Sequence, residues 1–256
     1  MIITLSLIRN VSSFQHIKIP LRSSLSSSAF ITSSSSSSSL SSSNNHRYNY
    51  YSHQLFSSSA VSASSSEVDP GVVEGTQLRI VKYPHPSLRA HNDLITEEEL
   101  ESGSISKIAK EMFLVMYAAE GIGLAAPQVG VNKRLMVYNE SGDKKKWLME
   151  SVLVNPKIVE YSEAVDIMGE GCLSFPDMDG EVQRSKWVKV EALSLKGKKI
   201  KKKFKGFEAR LFQHEYDHLD GKVYIDHLSR EGRATVQPTL DTLIEEYDVN
   251  DGDAAL

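Results

Sequence analysis

The sequence has one cysteine, Cys172, among 256 residues. No intramolecular disulfide can form, which suits a reducing compartment. No run approaches the roughly 20 consecutive apolar residues that span a bilayer, so no membrane partner is expected. Acidic residues are absent from the first 66 positions, which hold four basic residues (Arg9, Lys18, Arg22, Arg47) and 26 serines, seven of them consecutive at 33–39. Such a composition has too little apolar content to offset chain entropy and forms no packed core. An acid-free, Ser-rich leader with scattered Arg has the character of an organellar transit peptide. The alternative is a disordered tail that stays attached. A secretory signal fits less well, because Arg9 and His16 interrupt the apolar residues.

Beyond residue 66 the chain holds 25 Lys+Arg against 33 Asp+Glu, a formal net charge of −8. That balance argues against general or sequence-specific nucleic-acid binding, which needs a basic footprint. The remaining ~190 residues fit one domain, with a polar linker at 67–75, a folded region at 76–247 and a tail at 248–256. Leu78, Ile80 and Val81 suggest a short strand, followed by a stiff turn at Tyr83-Pro84-His85-Pro86. Ile105, Ile108, Met112, Val115, Met116 and Ala119 repeat every three or four residues and predict a helix at 104–119. Strands are expected at 134–138, 152–154 and 186–195, the last turning at Gly197 into a further strand at 198–204. Seven lysines lie within 196–206. They read as a hairpin edge kept from pairing with other chains by its charge, or as a local basic patch facing RNA or the ribosome surface near the peptide exit. A final helix at 229–247 is disturbed by Pro238, as one helix or as two pieces.

The densest chemistry lies in Gln-His-Glu-Tyr-Asp-His-Leu-Asp-Gly at 213–221. His214 and His218 stand four apart, on one face of a helix, so both imidazoles can reach one metal ion. Glu215 sits beside them, able to touch a water at that metal. Phe207, Arg210, Leu211, His214 and His218 share a stripe, and Gly221 follows as a natural helix terminator. Two histidines need at least one more ligand. Cys172, in a glycine-bracketed stretch Gly-Glu-Gly-Cys-Leu-Ser at 169–174, is the best remaining candidate, since thiolate is a strong soft donor. A third stretch, Gly-Ile-Gly-Leu-Ala-Ala-Pro-Gln at 121–128, has glycines that permit close backbone approach. It lacks the strand context and third glycine of a dinucleotide site.

These three stretches together resemble the peptide deformylases, over about residues 76–230, and the leader makes the chain similar to the plant plastid members. The resemblance implies an α+β fold, with antiparallel sheets packed around a central helix carrying HExxH. It implies removal of the formyl group from formyl-Met nascent peptides, with Cys172, His214 and His218 as ligands of one divalent metal. Fe(II) is expected in the family, although the ligand set alone points to Zn(II). Glu215 is implied as general acid/base, with Gln128 and the Leu173 N–H as oxyanion donors. Gly123 and Gly171 would exclude an acyl group larger than formyl, and Ile122, Met168, Phe207 and Leu211 would line the methionine pocket. Glu170 is expected to pair with Arg184 and brace the loop bearing Cys172. Localisation follows as plastid stroma, or mitochondrial matrix in its place or in addition, with the lysine-rich stretch placed near the ribosome in the basic-patch reading.

Two readings compete from the residues alone. A metallopeptidase would use the same helix on an internal amide and draw a third ligand from His227 or Glu231. A closed structural metal site would need a fourth tight protein ligand.

Overall fold

The computed structural model describes residues 70–256. The leader at 1–66 and the start of the expected linker lie outside the described residues. Thr96 and Glu99 cap a short helix α1 (Glu97–Glu101) reciprocally, satisfying its first free N–H groups. α2 (Ser104–Ala118) follows the apolar repeat and buries Ile105, Ala109, Met112, Phe113, Val115 and Met116. The strands are β1 (Gly123–Ala125), β2 (Leu135–Tyr138), β3 (Ser151–Tyr161), β4 (Val165–Cys172), β5 (Phe175–Ser185), β6 (Trp187–Leu193) and β7 (Lys199–Lys205). Five of them form an antiparallel sheet in the order β1-β2-β3-β6-β7, while β4 and β5 pair as a separate hairpin. α3 (Gly206–Leu219) follows β7 directly and α4 (Arg230–Glu245) closes the fold.

Side chains alternate across a strand, and β2 shows the consequence. Met136 and Tyr138 pack with Leu153, Val188, Val190, Phe204, Leu211 and Phe212 on the α3 side. Leu135 and Val137 pack with Met112, Val115 and Met116 on the α2 side. A third apolar cluster joins Cys172, Phe175, Met178 and Val182 of the hairpin to Tyr83, Tyr224, Leu240 and Leu243. α3 touches β1, β2, β6 and β7 of the large sheet and β5 of the hairpin. The result is an α+β architecture with antiparallel sheets, as expected.

The structure corrects three expectations and decides between one helix and two pieces at Pro238. Residues 78–81 form no strand. Leu78 and Ile80 pack inward, but the backbone bonds run from Val81 N–H to Gln128 O and from Tyr83 N–H to Ser174 O, so no ladder forms. The stretch around Cys172 is the end of a long strand rather than a loop, and Arg184 stands on the partner strand β5. Pro238 does not divide α4. It removes one backbone donor, while Val236, Leu240 and Leu243 bury one stripe on both sides of it. Finally, the segment called a tail carries a 3-10 turn at Val249–Asp251, and the Ala255 N–H bonds to Pro84 O.

Candidate metal centre

α3 carries His214, Glu215 and His218, whose side chains are 3%, 2% and 1% exposed. Their helix ends where the chain must turn under the backbone of residues 89–90. Gly221 has φ +68°, and a Cβ there would sit 3.0 Å from Arg89 O, so glycine meets both demands. β4 delivers Cys172 from the hairpin, and the 3-10 turn Ala126–Val129 delivers Gln128. The ligand atoms of Cys172, His214 and His218 all lie within 4.8 Å of one another, and all three residues are buried. Cys172 Sγ is 3.4 Å from His218 Nε2 and 3.4 Å from Gln128 Nε2.

Glu170, fully buried on β4, organises the other side of His214. Its carboxylate accepts from Arg184 Nε at 3.0 Å and Arg184 Nη2 at 2.9 Å. It also accepts from Arg210 Nη1 at 2.7 Å and stands 3.0 Å from His214 Nδ1. Burial alone would raise the carboxyl pKa, but the Arg184 charge and the His214 contact hold it well below the usual range. A carboxylate on Nδ1 fixes that nitrogen as the donor and leaves Nε2 as the lone-pair donor for a metal. Arg184 also reaches Asp217 at 2.5 Å, and Arg210 reaches Asp166 at 2.6 Å. Arg210, Asp217 and Asp166 were not picked out as site residues. The available signal was an arginine exactly one turn before His214 on an otherwise inward-facing stripe.

Glu215 lies against β1. A Cβ at Gly123 would collide with Glu215 Oε1 and lie 2.7 Å from Leu211 Cδ1, so the carboxylate occupies the space that any other residue at 123 would fill. Glu215 Oε2 is buried with no hydrogen-bond partner. Burial pushes the carboxyl up to about 7; the His214 charge opposes this, Glu170 adds to it, and the Ala125 N–H opposes it. A carboxyl poised near neutrality can both take and return a proton. Gln128 Oε1 accepts from the Ala125 N–H at 2.8 Å, which turns its NH2 towards Cys172.

Among the remaining expected residues, Ile122, Leu211 and Phe207 join one apolar cluster. Met168 is half-buried on β4 and lies outside that cluster. Leu173 sits in the turn after β4, its Cδ1 2.7 Å from where a Gly121 Cβ would be. Gly171 is buried and pairs with Asp179 across the hairpin. Glu231 is exposed on α4 and His227 Nε2 contacts Asp217 at 2.8 Å. Neither joins the ligand cluster, which is the only one among the described residues.

The donor set fits a divalent metal. A thiol and two imidazoles buried within 4.8 Å of one another are apt ligands for a borderline or soft cation. Three protein donors leave a fourth position for water or substrate, and the unpartnered Glu215 Oε2 lies beside them.

A sequence model of the family described as Polypeptide deformylase matches residues 77–234. The chain is 43% identical over 175 residues to peptide deformylase 1B, chloroplastic, of Oryza sativa, covering 68% of this chain and 64% of the rice protein. It is 41% identical over 177 residues to the chloroplastic/mitochondrial 1B protein of Arabidopsis thaliana, covering 69% and 63%. The chain thus spans about three-fifths of these plant relatives. Against the peptide deformylase of Halothermothrix orenii it is 43% identical over 159 residues, 62% of this chain and 98% of that protein. Among solved structures, a plant peptide deformylase 1B superposes with TM-score 0.65 at 39% identity, covering 72% of this chain and 98% of that one.

Proposed function

The chain belongs to the polypeptide deformylase family, and on that premise we propose that it is a metal-dependent hydrolase removing the formyl group from the N-terminal formylmethionine of nascent polypeptides made in an organelle. The observation that carries the proposal is the buried Cys172–His214–His218 donor set, with Glu215 next to His214 on the same helix and its buried Oε2 without a partner.

Cys172 Sγ, His214 Nε2 and one nitrogen of His218 would hold a single divalent metal, Fe(II) or Zn(II). When bound, that metal supplies the Lewis acidity that makes water nucleophilic near neutral pH. Glu215 accepts a proton from the attacking water on its carboxylate, then returns it to the methionine nitrogen as the formamide C–N bond breaks. Formate and a free amine leave. Charge that develops on the formyl oxygen meets the Gln128 NH2 and the Leu173 N–H. A preset donor of this kind is typically worth about 2.7–4 kcal/mol. Gly123 and Gly171 keep the acyl end narrow, so a formyl hydrogen is admitted where an acetyl methyl is not. Ile122, Phe207 and Leu211 supply apolar surface for the methionine side chain, with Met168 at its edge.

In the same reading residues 1–66 are the transit peptide, 76–247 the catalytic domain, and the site of action the plastid stroma, with the mitochondrial matrix as alternative or second destination. The relatives' names as chloroplastic or chloroplastic/mitochondrial support an organelle. The enzyme meets nascent chains close to the ribosome. Formate release from a formyl-Met peptide, measured beside cleavage of an unformylated peptide, tests the activity. Formate release without chain cleavage is the expected result, and chain cleavage without formate would overturn it in favour of a peptidase.

A further inference from the structure

β7 carries a lysine at every outward position. Lys199, Lys201, Lys203 and Lys205 are exposed, while Ile200 and Phe204 between them point inward. Alternate residues on a strand recur every ~6.6–6.8 Å, so the four ammonium groups form a straight row about 20 Å long. Lys189 on β6 lies directly opposite Lys203 in the register and widens the row. Lys203 Nζ stands 3.4 Å from the centroid of Trp187 and Lys189 Nζ 5.8 Å from it. Val159, Lys189, Lys201 and Lys203 border a groove of about 300 Å³ on this face.

Edge protection does not account for this pattern. Breaking edge-to-edge pairing takes one or two charges, and a soluble surface intersperses both signs. Here two carboxylates answer the row, Glu191 to Lys201 at 2.7 Å and Glu160 to Lys189 at 2.6 Å. Lys199, Lys203 and Lys205 have no ion-pair partner among the described residues. The concentration of one sign stands on a chain whose overall charge is negative. Evenly spaced cations on a rigid strand complement an evenly spaced polyanion.

We infer that the β6–β7 face is a docking surface for the phosphodiester backbone of RNA. A lipid surface fits less well, because Val159 is the one large exposed apolar side chain bordering the groove among the described residues and Trp187 lies under Lys203; the exposed Trp147, Leu148 and Met149 belong to a separate 3-10 segment. The inference rests on the proposed role, since a hydrolase of nascent chains works beside an RNA-rich particle. It adds the surface that holds it there. Lys205 immediately precedes α3, so the docked face and His214 are joined by nine residues of unbroken helix, about 13 Å. Docking would therefore set the orientation of the metal centre as well as its concentration.

Fluorescence anisotropy with a labelled 20-nucleotide RNA tests this, using the metal-loaded protein. Four phosphate contacts on a single strand predict roughly 50-fold weaker binding between 50 and 200 mM salt. The variant Lys199→Gln/Lys201→Gln/Lys203→Gln should bind about 100-fold more weakly at low salt and lower the log–log salt slope by about 2. Its formate release from a short formyl-Met peptide should be unchanged, which separates loss of docking from failure of the enzymatic reading. Lys144→Gln/Lys145→Gln/Lys146→Gln removes the same charge elsewhere and should leave RNA binding within about threefold. Equal loss in both variants, or binding to phosphatidylglycerol vesicles in preference to RNA, would overturn the inference.

Discussion

Arg184→Ala removes one of two guanidiniums from a buried carboxylate. Arg184 is 5% exposed and Glu170 is fully buried, so solvent cannot replace the lost partner. Breaking a buried pair from one side costs about 3–5 kcal/mol. The lower end applies, because Arg210 and His214 still contact Glu170 and His227 still contacts Asp217. For a domain of this size ~3 kcal/mol corresponds to a Tm loss of roughly 6–12 °C. Glu170→Ala should cost a similar amount, since Arg184 keeps Asp217 and Arg210 keeps Asp166. The double variant should lose at least ~1 kcal/mol less than the two single losses combined, as expected for groups in direct contact. Thermal unfolding at fixed metal excess reads all four corners of the cycle. Additive losses, or an Arg184→Ala cost of at most ~1 kcal/mol as for an exposed pair, would refute the reasoning.

Glu215→Gln should retain metal by elemental analysis yet lose nearly all formate release, because the amide cannot accept a proton; an active variant would remove Glu215 from the mechanism. Gly123→Ala should fold but displace the Glu215 carboxylate, lowering kcat by at least about 100-fold, and unchanged kcat would refute the contact. Cys172 should resist alkylation with metal bound and react after chelation; equal labelling in both states would mean that it is not a ligand. A chain beginning at Val68 should keep full activity on a short formyl peptide, since no site residue precedes Ile122, and a folded but inactive truncation would refute this.

The helix at 206–219 was legible from its stripe, and the strands at 186–205 from an alternation that holds at Val188, Val190, Ala192, Ile200 and Phe204 though Lys202 interrupts it. The gathering of Cys172, His214 and His218 was legible because i,i+4 histidines share one helix face and the resemblance pointed to the cysteine as their companion. The β4–β5 hairpin was not, since Glu170, Gly171, Asp177, Asp179 and Gly180 interrupt any alternation of apolar residues along it. Its apolar contacts come from Phe175, Met178 and Val182, spaced by three and then four residues as on a helix face rather than by two as on a strand. Residues 78–81 erred in the opposite direction, with β-branched and apolar residues that pack inward but meet no partner strand. Arg210 was visible as a member of the stripe, yet its partners lie 40 and 44 residues away, and sequence spacing carries no sign of contacts that distant.

The brace formed by residues 81–83 sets a limit on maturation. Val81 N–H holds the carbonyl of Gln128 and Tyr83 N–H holds that of Ser174, so one extended segment ties together the two turns proposed to grip the formyl oxygen. On the proposed reading of residues 1–66 as a transit peptide, trimming has a margin only up to residue 72, because Val73, Leu78 and Ile80 pack against the α2 cluster and Thr76 Oγ1 donates to Glu111. Past residue 80 each further residue removed would loosen one turn against the other. Under that reading a processing protease can be inexact within residues 67–72 without making an inferior enzyme, whereas cuts beyond Val73 strip packing from α2 before they reach the brace.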